Sequence, residues 1–306
     1  MIFVLKKKTE IGVWREAKIV FLIFGERKCS EPRDIIFALR SLTPTLMSVH
    51  PDYSLSTTEV FTLATRAIIS TDQYLGVLSW TTRGGHSQWS LLEKEELPSW
   101  VPDWSCRLII PLLDSSFEAS KVLDFDKDLV MAHKEPCVLI LRGILVDEII
   151  FTTKQIRPGV SSDDEMVEHF QEAFPACDKQ FINRHCAPAL KLNEIIDDHQ
   201  RLSGYPVPSF IKLKKFVDEM MIWDLEGLSF TTTKTQLKGF VLGQPEIGDL
   251  LFVAYGSKYP LILRQESSSK ASYTLVGPAI IEGLMEGEAV DMLEAGKLVE
   301  ETILLR

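Results

Sequence analysis

Paired cysteines, catalytic signatures and long apolar runs are all missing from this 306-residue chain. Its five cysteines, Cys29, Cys106, Cys137, Cys177 and Cys186, are irregularly spaced, with no Cys-x-x-Cys among them. That spacing argues against a disulfide framework and for a reducing compartment, so a cytoplasmic location is expected. Apolar runs such as Ile19 to Phe24 and Val138 to Leu141 are strand-sized, far short of the roughly 18 to 20 residues that a membrane-spanning helix needs. The opening Met-Ile-Phe-Val-Leu precedes three lysines, which puts the charge on the wrong side of too short a run for a secretory signal. Basic residues are also in deficit: 33 Lys and Arg against 43 Asp and Glu leave a net charge of −10. This argues against a general nucleic-acid binder and against attraction to anionic membrane, and the short basic runs Lys6-Lys7-Lys8 and Lys212 to Lys215 read as solvated faces. Gly-x-Ser-x-Gly, His-Glu-x-x-His, the phosphate-binding loop and the dinucleotide fingerprint are absent as well. No enzyme is announced, no cofactor is expected, and a non-catalytic role is favoured.

What is present is a stiff aromatic segment, Leu97-Pro-Ser-Trp-Val-Pro-Asp-Trp-Ser105. Pro98 and Pro102 fix their own φ and push the preceding residues toward extended geometry, so Trp100 and Trp104 stand on a backbone with little freedom to lose. Burying them contributes roughly two to three kcal/mol each. A core plug is expected over a docking surface, and Trp80, Trp89, Trp100 and Trp104 together mark one aromatic layer.

The fold expected is α+β, with a mainly helical N-terminal part and a β-rich C-terminal part forming a small bent sheet or half-barrel. Trp14 to Phe24 fits a buried helix. Ser30 and the Glu31-Pro32-Arg33-Asp34 block open a second, with Ile35, Ile36, Leu39 and Leu42 on its buried face. Ser56-Thr57-Thr58-Glu59 reads as a capping box leading into Val60, Phe61, Leu63, Ala64 and Ile68. Val138 to Ile150 is a buried strand, and amphipathic stretches follow at 163–174, 178–200 and 209–223. From Leu228 onward, short β-like runs are separated by glycines at 239, 243, 248, 256, 277, 283 and 287, with Ser267-Ser268-Ser269 as a hairpin tip. Three regions are expected: 1–105, a helical region with the Trp-Pro clasp; 106–227, a mixed connecting region; and 228–306, the β-rich part.

Metal chemistry finds little support. Asp124, Asp126, Asp128 and Glu135 match the carboxylate positions of a calcium-binding loop, but Leu129 stands where the sharp turn requires Gly, and a strand-like run replaces the exiting helix. His169, Cys177, His185 and Cys186 follow no paired-ligand spacing. No metal is expected.

Taken in order, Arg27 to Leu39 with its Pro32-Arg33-Asp34 core, Pro51-Asp52-Tyr53-Ser54 with Thr58-Glu59-Val60-Phe61, the Trp100-Val101-Pro102-Asp103-Trp104 clasp and the β motifs carrying Gly248, Asp249, Arg264, Gly283 and Gly287 resemble the fungal heterokaryon-incompatibility (HET domain) proteins. The resemblance covers about 29–105 and 228–290. The family's early Tyr-x-Ala-Leu-Ser-Tyr-x-Trp-like strand and its Trp-Ile-Asp-x-Leu-Cys-Ile-Asn-Gln-like segment are not found, so the chain is expected to correspond to the portion downstream of the HET core. The resemblance implies a regulatory or scaffold role in non-self recognition and programmed cell death. The protein partner would be an incompatibility factor or the missing core. The family's proposed likeness to NAD-cleaving TIR domains concerns that missing part, and no catalytic residue carries over. Alternatives are a degenerate remnant without activity, or a hydrolase or NAD-cleaving enzyme whose site only the fold assembles. Within this picture Pro32, Arg33 and Asp34 cap and orient a helix, and Arg33 is expected to pair near Asp34 or with Asp103.

Overall fold

A computed structural model describes residues 17, 20–21, 29–80, 97–106, 117–121, 125–153, 228–266, 271–281 and 283–306. The amphipathic stretches at 163–174, 178–200 and 209–223, the His169/Cys177/His185/Cys186 set, Asp124, Trp89, the lysine runs and the Ser267–Ser269 tip lie outside the described residues.

The dominant feature is a closed antiparallel barrel. Strand β1 (Leu139–Thr152) is followed by β2 (Leu228–Thr233), β3 (Lys238–Leu242), β4 (Leu250–Ala254), β5 (Leu261–Gln265), β6 (Ser272–Ile281) and β7 (Val299–Leu305). Pairings β1–β2, β2–β3, β3–β6, β6–β5, β5–β4 and β4–β1 return to the starting strand, so six strands form a ring with antiparallel neighbours throughout. The sheet is thus a full barrel rather than the half-barrel expected. Closure comes from β1, a 14-residue strand long enough to pair with β7 at its start, β4 in its middle and β2 at its end. Bulges between Leu145 and Asp147 and between Ile149 and Phe151 let it curve between these partners. Glycines permit the closest approaches: a Cβ on Gly277 would stand 1.9 Å from the Leu242 carbonyl oxygen, and one on Gly143 would stand 2.4 Å from that of Val253.

Alternation divides two cores. Leu251 and Val253 of β4 face the barrel interior with Ile144, Ile149, Val241, Ile262 and Ile281, where Ala289 and Val290 of a short helix join them. Phe252 and Ala254, one residue out of phase, pack with Leu139, Leu141, Leu261, Leu263 and Ile303 against the helical layer.

Among the described residues, helices in that layer are few. Ala17, Val20 and Phe21 are helical and buried. Helix α1 spans Asp34–Leu39 and α2 spans Thr57–Asp72, with 3₁₀ turns at Pro44–Ser48 and Gly76–Trp80. The capping box forms as read: the Glu59 N–H donates to Ser56 Oγ at 3.2 Å, and the Ser56 N–H donates to Glu59 Oε2 at 2.8 Å. Val60, Phe61, Ala64 and Ile68 are buried and Leu63 is exposed; Leu42, expected on the buried face of α1, is exposed beyond the end of that helix. Helix α1 begins at Asp34 with Arg33 in the N-cap position. The Arg33 side chain makes no cap bond, so Pro32 and Arg33 precede the helix rather than opening it. Two further short helices, α3 (Lys127–Val130) and α4 (Glu288–Glu294), flank the barrel strands. Asp126 serves as the N-cap of α3, accepting from the Leu129 N–H at 3.0 Å.

The β2–β3 turn hangs on one carboxylate. Burial alone would raise the Asp147 carboxyl. Hydrogen bonds from the Thr233 and Thr235 hydroxyls and from the Thr235 and Glu148 N–H groups outweigh it and hold the carboxyl below its ordinary value. A lowered folded value means that this stabilisation is present at neutral pH and is lost as the pH falls below about 4. Asp147→Asn is therefore expected to weaken the fold at pH 7 and to flatten the acid decline in the urea midpoint between neutrality and pH 3. By the same packing logic, Gly277→Ala forces backbone apart and should lower stability by about 1 to 3 kcal/mol. Gly283→Ala, at φ 76° but in open space, should cost about 1 kcal/mol; denaturant midpoints compare the two.

Candidate functional site

The clasp is a core plug. Trp100 and Trp104 are 0% and 1% exposed, and Val101 and Pro102 are buried with them. Each indole N–H finds an acceptor: Trp100 Nε1 donates to the Cys137 carbonyl at 2.9 Å, and Trp104 Nε1 to Thr65 Oγ1 at 3.3 Å. Thr65 in turn donates to the Phe61 carbonyl, 2.9 Å away. Trp80 meets Trp104 edge-on with ring centroids 6.0 Å apart, and Phe21 lies 4.1 Å from the same indole. Asp103 closes the segment by accepting from the Ser105 N–H at 2.9 Å. At the segment's other end Ser99 ties the clasp to the barrel. Its N–H donates to the Arg306 carbonyl at 3.0 Å, its hydroxyl also meets that oxygen, and the Leu275 N–H donates to Ser99 Oγ at 2.8 Å.

The exposed candidate lies on the far side of α1, where the Pro32-Arg33-Asp34 and Asp52-Tyr53-Ser54 blocks meet. Arg33 forks onto Glu31, Nε to Oε1 at 2.7 Å and Nη2 to Oε2 at 3.0 Å. Its Nη1 donates to the carbonyls of Tyr53 at 2.9 Å and Leu55 at 2.5 Å. The guanidinium sits 5.4 Å from the Tyr53 ring centroid, and Phe37 meets that ring edge-on at 5.3 Å. The Tyr53 hydroxyl donates to Asp34 Oδ1 at 2.5 Å. Arg33 thus finds its carboxylate two residues upstream, in Glu31. Asp52 folds its own loop, accepting from the Ser54 N–H and hydroxyl at 2.9 and 2.6 Å.

The electrostatics follow these contacts. The hydrogen bond from Arg33 holds Glu31 below the carboxylate range, while the bond to Asp34 pushes the Tyr53 phenol up. The Tyr53 hydroxyl proton is therefore committed to Asp34, yet the residue remains 59% exposed. What the arrangement offers chemically is a rigid aromatic face backed by a cation and rimmed by carboxylates. Tyr residues with few rotors and a fixed ring suit protein contacts.

Of the C-terminal motif residues, Asp249 and Arg264 are brought together beside Gly248 for a structural purpose. The register Leu250↔Leu263 sets Asp249 opposite Arg264. The guanidinium forks onto the buried carboxylate with Nε–Oδ1 at 2.9 Å and Nη2–Oδ2 at 2.8 Å, and it also reaches Glu246 and the Gln244 carbonyl. This pins the loop in which Gly248 adopts φ 96°. Gly283 and Gly287, at φ 76° and 92°, shape the turn into α4. Sequence reading missed a further surface triad: Glu300 accepts from Arg142 Nε at 2.6 Å and from the Tyr255 hydroxyl at 2.5 Å. Burial, reinforced by the Glu300 bond, pushes the Tyr255 phenol up to about 12. No sequence spacing links residues 142, 255 and 300; only the strand register does.

Among the described residues, no group of three or more His, Cys, Asp or Glu is placed to hold a metal ion. No helix among them is long and apolar enough to cross a membrane. Comparison of the chain with protein-family models, with curated proteins and with solved structures returns no match.

The clasp and the Tyr53 face predict opposite outcomes. Trp104→Ala should lower stability by about 3 to 5 kcal/mol. Tyr53→Ala should cost far less, about 1 kcal/mol or below. Chemical denaturation of the two variants is the check. A Trp104→Ala midpoint equal to the parent's would overturn the core assignment.

Proposed function

We propose that this chain is a non-catalytic regulatory or scaffold portion of a heterokaryon-incompatibility system of the HET-domain type, acting in the cytoplasm through a protein partner in non-self recognition and programmed cell death. The observation that carries this reading is the convergence of two separate motif blocks of the resemblance, 32–34 and 52–54, on the exposed Tyr53 ring. The polar contacts hold it outward at a fixed angle.

The helical layer supports the same reading by giving the Tyr53 face a stable base. Loop 51–55 runs into the capped start of α2, and α2 is fixed by Trp104 through Thr65. A partner pressing on Tyr53 therefore meets a surface that does not yield, which reduces the ordering cost of association. The partner expected is the HET core or an incompatibility factor that docks where that core would lie.

Binding of the purified chain to a recombinant HET core, followed by calorimetry, is the direct test. Tyr53→Ala should weaken association about tenfold or more, as expected for an aromatic anchor, with the denaturation midpoint nearly unchanged. Undiminished binding by Tyr53→Ala, or consumption of NAD by the purified chain alone, would overturn the proposal.

A further inference from the structure

Strand β7 has two edges, and among the described residues only one is covered along its length. Its pairing with β1 runs from Leu305 back to Val299, whereas its pairing with β6 is confined to Leu304 and Leu305. Backbone alternation fixes which groups face outward. The Leu304 N–H donates to the Ala271 carbonyl at 2.8 Å and the Arg306 N–H to that of Tyr273 at 2.9 Å, both on the β6 side. Even-numbered residues of β7 therefore aim their N–H and C=O groups away from β1. Among the described residues, those of Glu300 and Thr302 meet no strand on that side. Both residues are exposed, and neighbouring Val299 is 63% exposed.

We propose that this edge accepts an extended, basic segment of a partner protein as an added strand. Main-chain hydrogen bonds to Glu300 and Thr302 would supply the docking, and the side chains choose the occupant. Glu300 is already held by Arg142 and Tyr255, which leaves Glu301 as the charge that a Lys or Arg directly across the new pair would meet. A second copy of the chain is the competing occupant, and the register disfavours it. The antiparallel alignment that uses both free residues, 300 against 302 and 302 against 300, sets Glu301 against its own copy, and like charges directly opposite are destabilising. This surface is distinct from the Tyr53 face and stands without it.

The test uses the full chain and two short synthetic peptides, one alternating Lys with Val and one alternating Glu with Val. The Lys peptide should bind and slow amide exchange at Glu300 and Thr302, with a preference of about fivefold over the Glu peptide. Glu301→Lys should invert that preference. Thr302→Pro removes an outward donor while leaving the odd-numbered ladder to β1 in place, and it should abolish binding without dissolving the barrel. The proposal is overturned if the two amides are already protected in the free chain, if both peptides bind equally, or if neither binds. A concentration-dependent dimer lost in Thr302→Pro would assign the edge to a second copy and equally defeat it.

Discussion

Docking of the Trp104 indole onto the Thr65 hydroxyl, deep between α2 and the barrel wall, is the contact from which the rest of the arrangement hangs. An indole is a large apolar body with one donor that must be satisfied. The Thr65 hydroxyl does this while donating its own hydrogen bond to the Phe61 carbonyl. Desolvation of the ring and satisfaction of the donor therefore fix the same geometry, so the helix cannot rotate or slide without losing both. Trp80, Phe21 and the barrel residues Leu139, Leu141 and Phe252 share the core around it. Arg66, one residue on, adds a polar tie from α2 to the segment before β1 through the carbonyls of Met131 and Pro136.

Local signals in the sequence were the readable ones. The Ser56–Glu59 box needs only four residues to specify a helix start, and the two prolines of the clasp announce a stiff segment by themselves. Leu42 departs from the expected buried face because apolar character does not decide which side faces inward. Helix α1 ends before Leu42. In α2 the buried stripe recruits Thr57, Thr62 and Thr65, so a leucine is left outside while hydroxyls go in. Barrel closure was invisible for a different reason: it depends on Ile149 and Phe151 meeting Thr233 and Thr232, a pairing set by two bulges and by far-separated chain. The Gly-punctuated runs after Leu228 could show bends, but not that a strand starting at Leu139 would complete the ring.

The same distinction separates the two groups of motif residues. Asp249 and Arg264 are cross-strand neighbours whose ion pair shapes a loop, a purpose internal to the barrel. Arg33, Asp34 and Tyr53 also pair among themselves, yet the product of their pairing is an aromatic face turned to solvent. An internal purpose ends in burial, and this one does not. That contrast leaves one group of motif residues inside the barrel wall and the other at the surface.

Ser99 carries a consequence for synthesis. Its partners lie 176 residues downstream at Leu275 and 207 downstream at Arg306. The clasp thus cannot seat on the barrel until β6 and β7 have been made, and contacts of such separation are slow to form. At roughly 5 to 20 residues per second, Ser99 waits about 10 to 40 s for its barrel partners, whereas Thr65, which receives the Trp104 indole, is made before the clasp. The stiffness that the prolines impose on 97–105 then matters before folding as well as after it. Two prolines four residues apart interrupt any helix that would run through the segment, so it is poorly suited to collapse into the wrong helix while it waits.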